Sequence, residues 1–292
     1  MTSDAGDSGD SGDSLDQLVA AVRGSGRYRD VAESLIRRVG ASELAKRRGL
    51  KEAIKATKSK LHQVAGAYLD EPRYGAWLAE LRAAYEEVDG GLEAARERRR
   101  GALRRVMARH ASTRERLPIL DQFYTQTLAG IGPIHSVLDL ACGLNPLALG
   151  WLPLAADAEY IACDIYGDLM AFLGGYFALE ATHGRPGLRG RAETRDVIAA
   201  PPAGHAEVAL LLKAIPCLEQ SDKDAGEQLL RAVRAEHLLV SFPAHSLGGR
   251  SKGMLANYEA RFHELMARTG IGARATITRF QFATELAFLI SR

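Results

Sequence analysis

Three aspartates and a lysine stand at or just beyond the ends of short apolar runs, where an open α/β sheet presents its ligand-binding edge. Asp139 closes the run Ser136-Val137-Leu138-Asp139-Leu140 and leads into a turn of small residues, Ala141-Cys142-Gly143. Gly143 would let a ligand approach the backbone closely. One glycine is not a GxGxxG fingerprint, so the same turn also reads as a strand–turn–helix with a packing glycine. Asp164 ends the run Tyr160–Asp164, 25 residues after Asp139. An acid there can accept hydrogen bonds from both hydroxyls of an adenosine ribose, or cap the following helix, 167–179. Asp196 follows a third segment, 189–195; it could bond an adenine amino group with Val197 on the ring, or serve as a loop cap. Lys213 emerges from the fourth run, Leu210-Leu211-Leu212, into a loop stiffened by Pro216. It could meet phosphate or substrate there, or be solvated.

Two further segments flank this edge. The fifth run, His237–Phe242, leads to Ser246-Leu247-Gly248-Gly249-Arg250-Ser251-Lys252-Gly253-Met254. Its amides, Arg250 and Lys252 could hold an RNA phosphate, and Phe242 could stack on an extruded base; a plain surface loop is the alternative. Upstream, Ser112 and Glu115 have capping-box spacing, and Arg116 suits the carboxylate at a cofactor's amino-acid end. No Ser-His-Asp constellation is apparent. The three cysteines (Cys142, Cys163, Cys217) are widely spaced, which disfavours a zinc site or a disulfide framework.

The elements that must carry these residues divide into two textures. Residues 1–22 hold five acids and no Lys or Arg; residues 23–110 hold 21 Lys and Arg against 12 acids; the remainder is nearly balanced, so a net charge of +2 conceals a basic first half. That partition suggests a polyanion-binding module, or simply solvated helix faces. Residues 1–14 repeat Asp, Ser and Gly, lack large apolar groups, and are expected to be disordered. From 15 to about 105 the periodicity is helical throughout: one helix over Leu15–Val22, a second capped by Asp30 and stopped by Gly40, a third from Leu50 toward Tyr68 showing Lys51, Lys55, Lys58 and Lys60, and two more ending in the basic run Arg96–Arg105. After that, apolar runs alternate with helical segments. This predicts an α/β domain over 106–292 with a mostly parallel sheet and an antiparallel last strand. No apolar run approaches the roughly 18–20 residues needed to span a bilayer, and the acidic start lacks a signal-peptide pattern. The expectation is a cytoplasmic monomer with no membrane contact.

Several segments together resemble one family. HASTRERLP, LDLACGLNPLAL, CDI, LLLKAIPCLE, SFPAHSLGGRSKGM and ATELAFLI occur in the order found in the aminoglycoside-resistance 16S rRNA (guanine-N7) methyltransferases, the Arm/Rmt/Sgm/Kgm group. SGRYRDVAESLIRRV and KATKSKLHQVAGAYL are similar to that group too, so the likeness runs from about residue 15 onward. It implies a Rossmann-like class I methyltransferase domain with a seven-stranded sheet, preceded by an all-α domain that binds rRNA. It further implies S-adenosylmethionine as cofactor and N7 of guanosine 1405 in the 30S decoding site as target, with resistance to 4,6-disubstituted deoxystreptamine drugs. Matching motif by motif puts Tyr68, His110, Ala111, Ser112, Arg116, Ala141, Asp164, Asp196, Val197, Leu212 and Gln220 on or near the cofactor, and Gly143 joins them from its place in the turn. Lys213, Glu219 and Glu285 match positions that matter for activity in relatives, and Phe242 stands as the base-stacking candidate.

Guanine N7 bears a lone pair and no proton, so displacement at the sulfonium methyl needs no general base, only proximity and alignment. The guanine lies in a paired helix and would have to be flipped out, with the basic helical domain docked on phosphates. Two alternatives remain open at this point: methylation of N1 of the neighbouring adenine, and a non-catalytic ribosome-assembly factor on a relic methyltransferase fold.

Overall fold

Seven short segments rich in Val, Leu, Ile and Ala pair into one sheet in a computed structural model describing residues 8–65, 72–87, 89–244 and 253–292. The strands are β1 (Ile134–Leu140), β2 (Leu154–Asp164), β3 (Arg189–Thr194), β4 (His205–Leu212), β5 (Arg234–Pro243), β6 (Thr276–Gln281) and β7 (Glu285–Ser291). Their order is β3-β2-β1-β4-β5-β7-β6. The first five pair in parallel, and β7 is antiparallel to both neighbours, as its close spacing to β6 predicts. The sheet is seven-stranded and mostly parallel, as expected.

Strand alternation sends successive side chains to opposite faces. Val137, Tyr160, Leu210, Leu239 and Leu289 build one core, covered by α4 (Tyr74–Glu86), α5 (Gly91–Met107), α7 (Leu120–Thr127) and α8 (Gly167–Leu179). Leu138, Leu211, Val240, Phe242 and Phe288 build the other, covered by α10 (Ala225–Ala232) and α11 (Met254–Thr269). A third, smaller core joins α1 (Ser8–Arg23), α2 (Glu33–Leu44) and α3 (Leu50–Ala65) around Leu18, Leu35, Ile36 and Leu61. The expected boundary near 105 therefore does not coincide with a break between cores: α4 and α5 share the core of the sheet, and only α1–α3 form a cluster of their own.

Several local expectations are corrected. α1 starts at Ser8, inside the stretch expected to be disordered; residues 1–7 lie outside the described ones. Gly40 does not stop α2, which runs on to Leu44. A Cβ at Gly40 would sit 2.5 Å from Leu18 Cδ2, so the glycine's role is close approach to α1. Asp30 is not the cap of α2, whose N-cap is Ala32. The capping box at Ser112 is absent: α6 (Ala111–Arg116) is capped at His110, and Glu115 faces Lys213 instead. A 3-10 turn at Leu117–Ile119 carrying Pro118 separates α6 from α7.

The basic run of α5 is largely consumed within the molecule. Arg98 donates to the Asp89 and Glu87 carbonyls, Arg105 pairs with Glu80, and Arg104 pairs with Asp121. Arg99 lies over Tyr85, and Arg100 and Arg104 lie over Trp151. Arg98, Arg99 and Arg105 thus tie α5 to α4 and the loop between them, and Arg100 and Arg104 tie it to the α/β layer.

Candidate functional site

The chain winds from β1 outward to β2 and β3, then returns to the other side of β1 for β4 and β5, so the carboxyl ends of β1 and β4 mark the topological switch point. A cleft opens there, lined by residues of β1, β2, β4 and α2 and of the turns that follow the strands. Both strands end in strain: Ala141 after β1 (φ 51°) and Lys213 after β4 (φ 59°) are the non-glycine residues with positive φ among those described. Such conformations cost of order 1–3 kcal/mol each and persist where the surroundings over-determine them. Gly143 also has φ 51°, and a Cβ there would lie 2.8 Å from the His110 imidazole. Burial, then the neighbouring Arg116 and Lys213 charges, lower the His110 pKa to about 4, so the imidazole on the cleft wall is neutral at physiological pH.

Asp164 takes the place its position at the end of β2 implies. Its Oδ2 accepts the Gly143 amide at 2.9 Å and its Oδ1 the Ile165 amide at 2.7 Å. It does not cap α8, whose N-cap is Tyr166. Burial pushes its pKa up, against the pull of the backbone amides that bind the carboxylate. Asp139 also lines the cleft. Its Oδ2 accepts from Asn145 Nδ2 (2.8 Å) and the Tyr160 hydroxyl (2.7 Å), while Oδ1 is buried with no partner. Burial moves its pKa up to about 7.

A buried polar network that spacing alone does not reveal backs the cleft: Arg116, Asn145 and Lys213 line it, and Glu285 lies behind them. Arg116, expected to meet a cofactor carboxylate, has its guanidinium engaged: Nη2 donates to Glu285 Oε1 at 2.7 Å, Nε to Glu285 Oε2 at 3.0 Å, and Nη1 to Asn145 Oδ1 at 2.8 Å. Asn145 Oδ1 also accepts the Tyr124 hydroxyl at 2.6 Å. Lys213 Nζ, expected to face phosphate or substrate, meets Glu115 (2.8 Å), Glu285 (3.3 Å) and the Ser112 carbonyl (3.3 Å). Three partners fill the three donors of an ammonium. Burial alone would raise the Glu285 pKa, but Arg116 and Lys213 hold it below the ordinary glutamate range. Glu285 is fully buried and does not line the cleft; its carboxylate meets Arg116 and Lys213 from behind.

The far wall comes from the helical layer. Leu35 and Arg38 of α2 line the cleft, and Arg38 grips Asp196, Nε to Oδ2 at 2.8 Å and Nη2 to Oδ1 at 3.3 Å. Asp196, Val197, Leu212 and Ser112 line the cleft. Neither Leu35, Arg38 nor Asn145 was singled out from sequence; Arg38 lies 158 residues from its partner, and no local pattern marks it.

Other candidates do not reach the cleft. Phe242 is fully buried on the α11 face, stacked with Tyr258 (5.2 Å between centroids), so base stacking is excluded for it. Glu219, on α9 (Ile215–Ser221), pairs with Arg261 at 2.8 Å, and Gln220 beside it is exposed. Ala111 is buried but is not on the cleft wall. Tyr68, Arg250 and Lys252 lie outside the described residues. On α3, Lys51 and Lys55 are exposed and Lys58 half-buried, whereas Lys60 is tied to the buried Glu43 at 3.0 Å. Among the described residues, no group of His, Cys, Asp or Glu is arranged to hold a metal ion, and no helix is long and apolar enough to cross a membrane.

Residues 24–289 match the family described as FmrO, ribosomal RNA methyltransferase. The chain is 41% identical over 273 residues to a 16S rRNA (guanine(1405)-N(7))-methyltransferase of Frankia casuarinae, covering 92% of this chain and 90% of the relative. It is 36% identical to the enzyme of the same name from Micromonospora rosea, covering 94% and 96%. Among solved structures, the 16S rRNA methylase RmtB superposes with a TM-score of 0.75 at 28% identity, covering 95% of this chain and 98% of RmtB. The 16S rRNA methyltransferase RmtF in complex with S-adenosyl-L-homocysteine gives 0.71 at 30% identity, covering 98% and 100%.

Proposed function

The chain belongs to the FmrO ribosomal RNA methyltransferases and is an S-adenosylmethionine-dependent enzyme acting on 16S rRNA, and on that premise we propose that its target is N7 of guanosine 1405 in the assembled 30S subunit. The observation that carries the cofactor assignment is Asp139, a buried carboxylate that lines the cleft and whose Oδ1 has no partner. A buried carboxylate oxygen without a partner is costly, and a cationic ligand relieves that cost. The rest of the donor set fits the same group. Asp164 has carboxylate lone pairs left for the two ribose hydroxyls, Val197 and Leu212 form apolar walls for a purine, and Gly143 keeps the turn free of a Cβ.

S-adenosylmethionine, when bound, supplies an electrophilic methyl group on a cationic sulfur. The side chains around it have a restricted task. Guanine N7 carries a lone pair and no proton, so no residue has to take a proton, and the neutral His110 is consistent with that. Asp139 supplies countercharge, Asp164 orients, and Glu285 with Lys213 and Arg116 keeps α6, β4 and β7 in register around the cleft. Catalysis by proximity and alignment is what such a site can supply. The exposed Lys51 and Lys55 of α3 suit rRNA phosphates, with the target guanine flipped from its helix.

We propose in addition that the chain works as a cytoplasmic monomer and protects ribosomes from 4,6-disubstituted deoxystreptamine drugs. Methyl transfer from labelled S-adenosylmethionine to assembled 30S subunits and to free 16S rRNA tests the substrate. Label in the assembled subunit and little in free rRNA is expected; equal labelling of both would remove the subunit from the proposal.

A further inference from the structure

We propose that Arg38 is a positioning residue for cofactor recognition: from the helical layer it aims the Asp196 carboxylate so that the cleft selects adenine by its amino group. This rests on the cleft holding S-adenosylmethionine, and goes beyond it by assigning base selectivity to a residue on α2.

Asp196 is 1% exposed and lines the cleft, while Arg38 is the cation that touches it. The guanidinium takes both carboxylate oxygens, and Oδ1 also accepts the Ile198 amide at 3.1 Å. Each carboxylate oxygen can accept two hydrogen bonds, so Oδ2 still has a free lone-pair direction. Three bonds from two sides set the plane of the carboxylate, and a planar fork is what fixes it. Arg38 is itself fixed. One turn earlier Leu35 packs into the same wall, and the chain just before α2 is clasped to the loop after Asp164. The Ala32 amide donates to the Ile165 carbonyl at 2.7 Å, the Gly167 amide donates to the Asp30 carbonyl at 2.7 Å, and Val31 bridges Tyr166. The helical layer is therefore part of the cleft wall, next to the acid that serves the ribose.

An acceptor held in this way accepts from the adenine amino group and opposes a carbonyl oxygen at the same position. Adenine and hypoxanthine differ there: one presents an amino donor, the other a carbonyl acceptor. Sites that pair a specific hydrogen-bonding group reject the analogue that cannot return the bond. Removing Arg38 leaves the carboxylate without its countercharge and without its fork, so both affinity and selectivity fall.

The test is calorimetric titration of the full chain with S-adenosylhomocysteine and with S-inosylhomocysteine. The wild type is expected to prefer the adenosine ligand by about tenfold or more, the worth of one charge-assisted hydrogen bond. Arg38→Ala is expected to bind S-adenosylhomocysteine about tenfold more weakly and to lose most of the preference, whereas Arg38→Lys, with charge but no fork, recovers affinity without full selectivity. Circular dichroism of each variant monitors folding, and Arg38→Gln, which keeps an amide donor on a shorter, uncharged side chain, carries the same comparison if the alanine variant does not fold. An Arg38 variant that folds and keeps the wild-type preference overturns the proposal. A wild type that binds neither ligand refutes the cofactor assignment itself, a different result from equal binding by wild type and variant.

Discussion

Arg116 and Glu285, 169 residues apart, form an ion pair in which neither side chain has any solvent exposure. The pair joins α6 to β7 across the carboxyl edge of the sheet, and Lys213 and Ser241 both reach the same Glu285 carboxylate. Breaking one partner of such a pair leaves the other charge buried and uncompensated, which costs about 3–5 kcal/mol. Glu285→Gln should therefore lower the unfolding free energy by a few kcal/mol at neutral pH, read by urea denaturation.

The same pair has a pH signature. Glu285 has a folded pKa below its unfolded value, so its contribution is complete at neutral pH and is lost as pH falls through the lowered folded value. The stability gap between wild type and Glu285→Gln should shrink below about pH 4. A gap of equal size at pH 7 and in acid would contradict the ion-pair account.

Asp139 behaves in the opposite sense. Its folded pKa is raised to about 7, so between the ordinary aspartate value and pH 7 the folded state holds a proton that the unfolded state has released. Stability of the ligand-free protein should fall as pH rises across that window, and Asp139→Asn should remove the slope. Cofactor affinity should move the other way, rising with pH through about 7 as the carboxylate ionises to meet a cation. Calorimetry with S-adenosylmethionine at two pH values on either side of 7 reads this directly; an affinity independent of pH would remove Asp139 from the binding account.

Phe242 provides a test of what the fold corrects. Buried between Tyr258, Phe262 and Phe288, it should cost about 3–5 kcal/mol of stability when cut to alanine. Phe242→Leu should retain methylation per folded molecule, because the ring reaches no substrate. Loss of rRNA methylation by a stably folded Phe242→Leu would restore the base-stacking reading.

That error shows where sequence reading reached its limit. The apolar runs, the antiparallel last strand and the strand-end acids Asp139 and Asp164 follow from patterns within a few residues, and they are where the periodicity places them. Phe242 is different: Ser241 meets Glu285 behind the cleft, and by strand alternation the next side chain must face the other way, under α11. The period of two is present in the sequence, but the adjacent glycine-rich loop points to the cleft side instead. Arg38 with Asp196, and Arg116 with Glu285, were beyond local reading because the contacts span 158 and 169 residues. Gly40 read as a helix stop because its reason, contact with Leu18, lies on another helix. The α5 arginines read as a docking surface because sequence shows charge but not whether an acid or an indole already holds it.

Docking of rRNA should accordingly rest on α3 more than on α5. Charge reversal at Lys55 and Lys58 is expected to weaken 30S binding and to flatten its dependence on salt by about one unit of log–log slope per lost phosphate contact. Binding to 30S subunits measured across a salt series checks this; an unchanged affinity and slope would take α3 out of the interface.

The central claim is the identity of the methylated atom, and chemical cleavage reads it most directly. After incubation of 30S subunits with the protein and S-adenosylmethionine, reduction and strand scission specific for 7-methylguanosine should cut 16S rRNA at guanosine 1405. Methyl incorporation with no scission there, whether at N1 of the neighbouring adenine or elsewhere, would contradict the account.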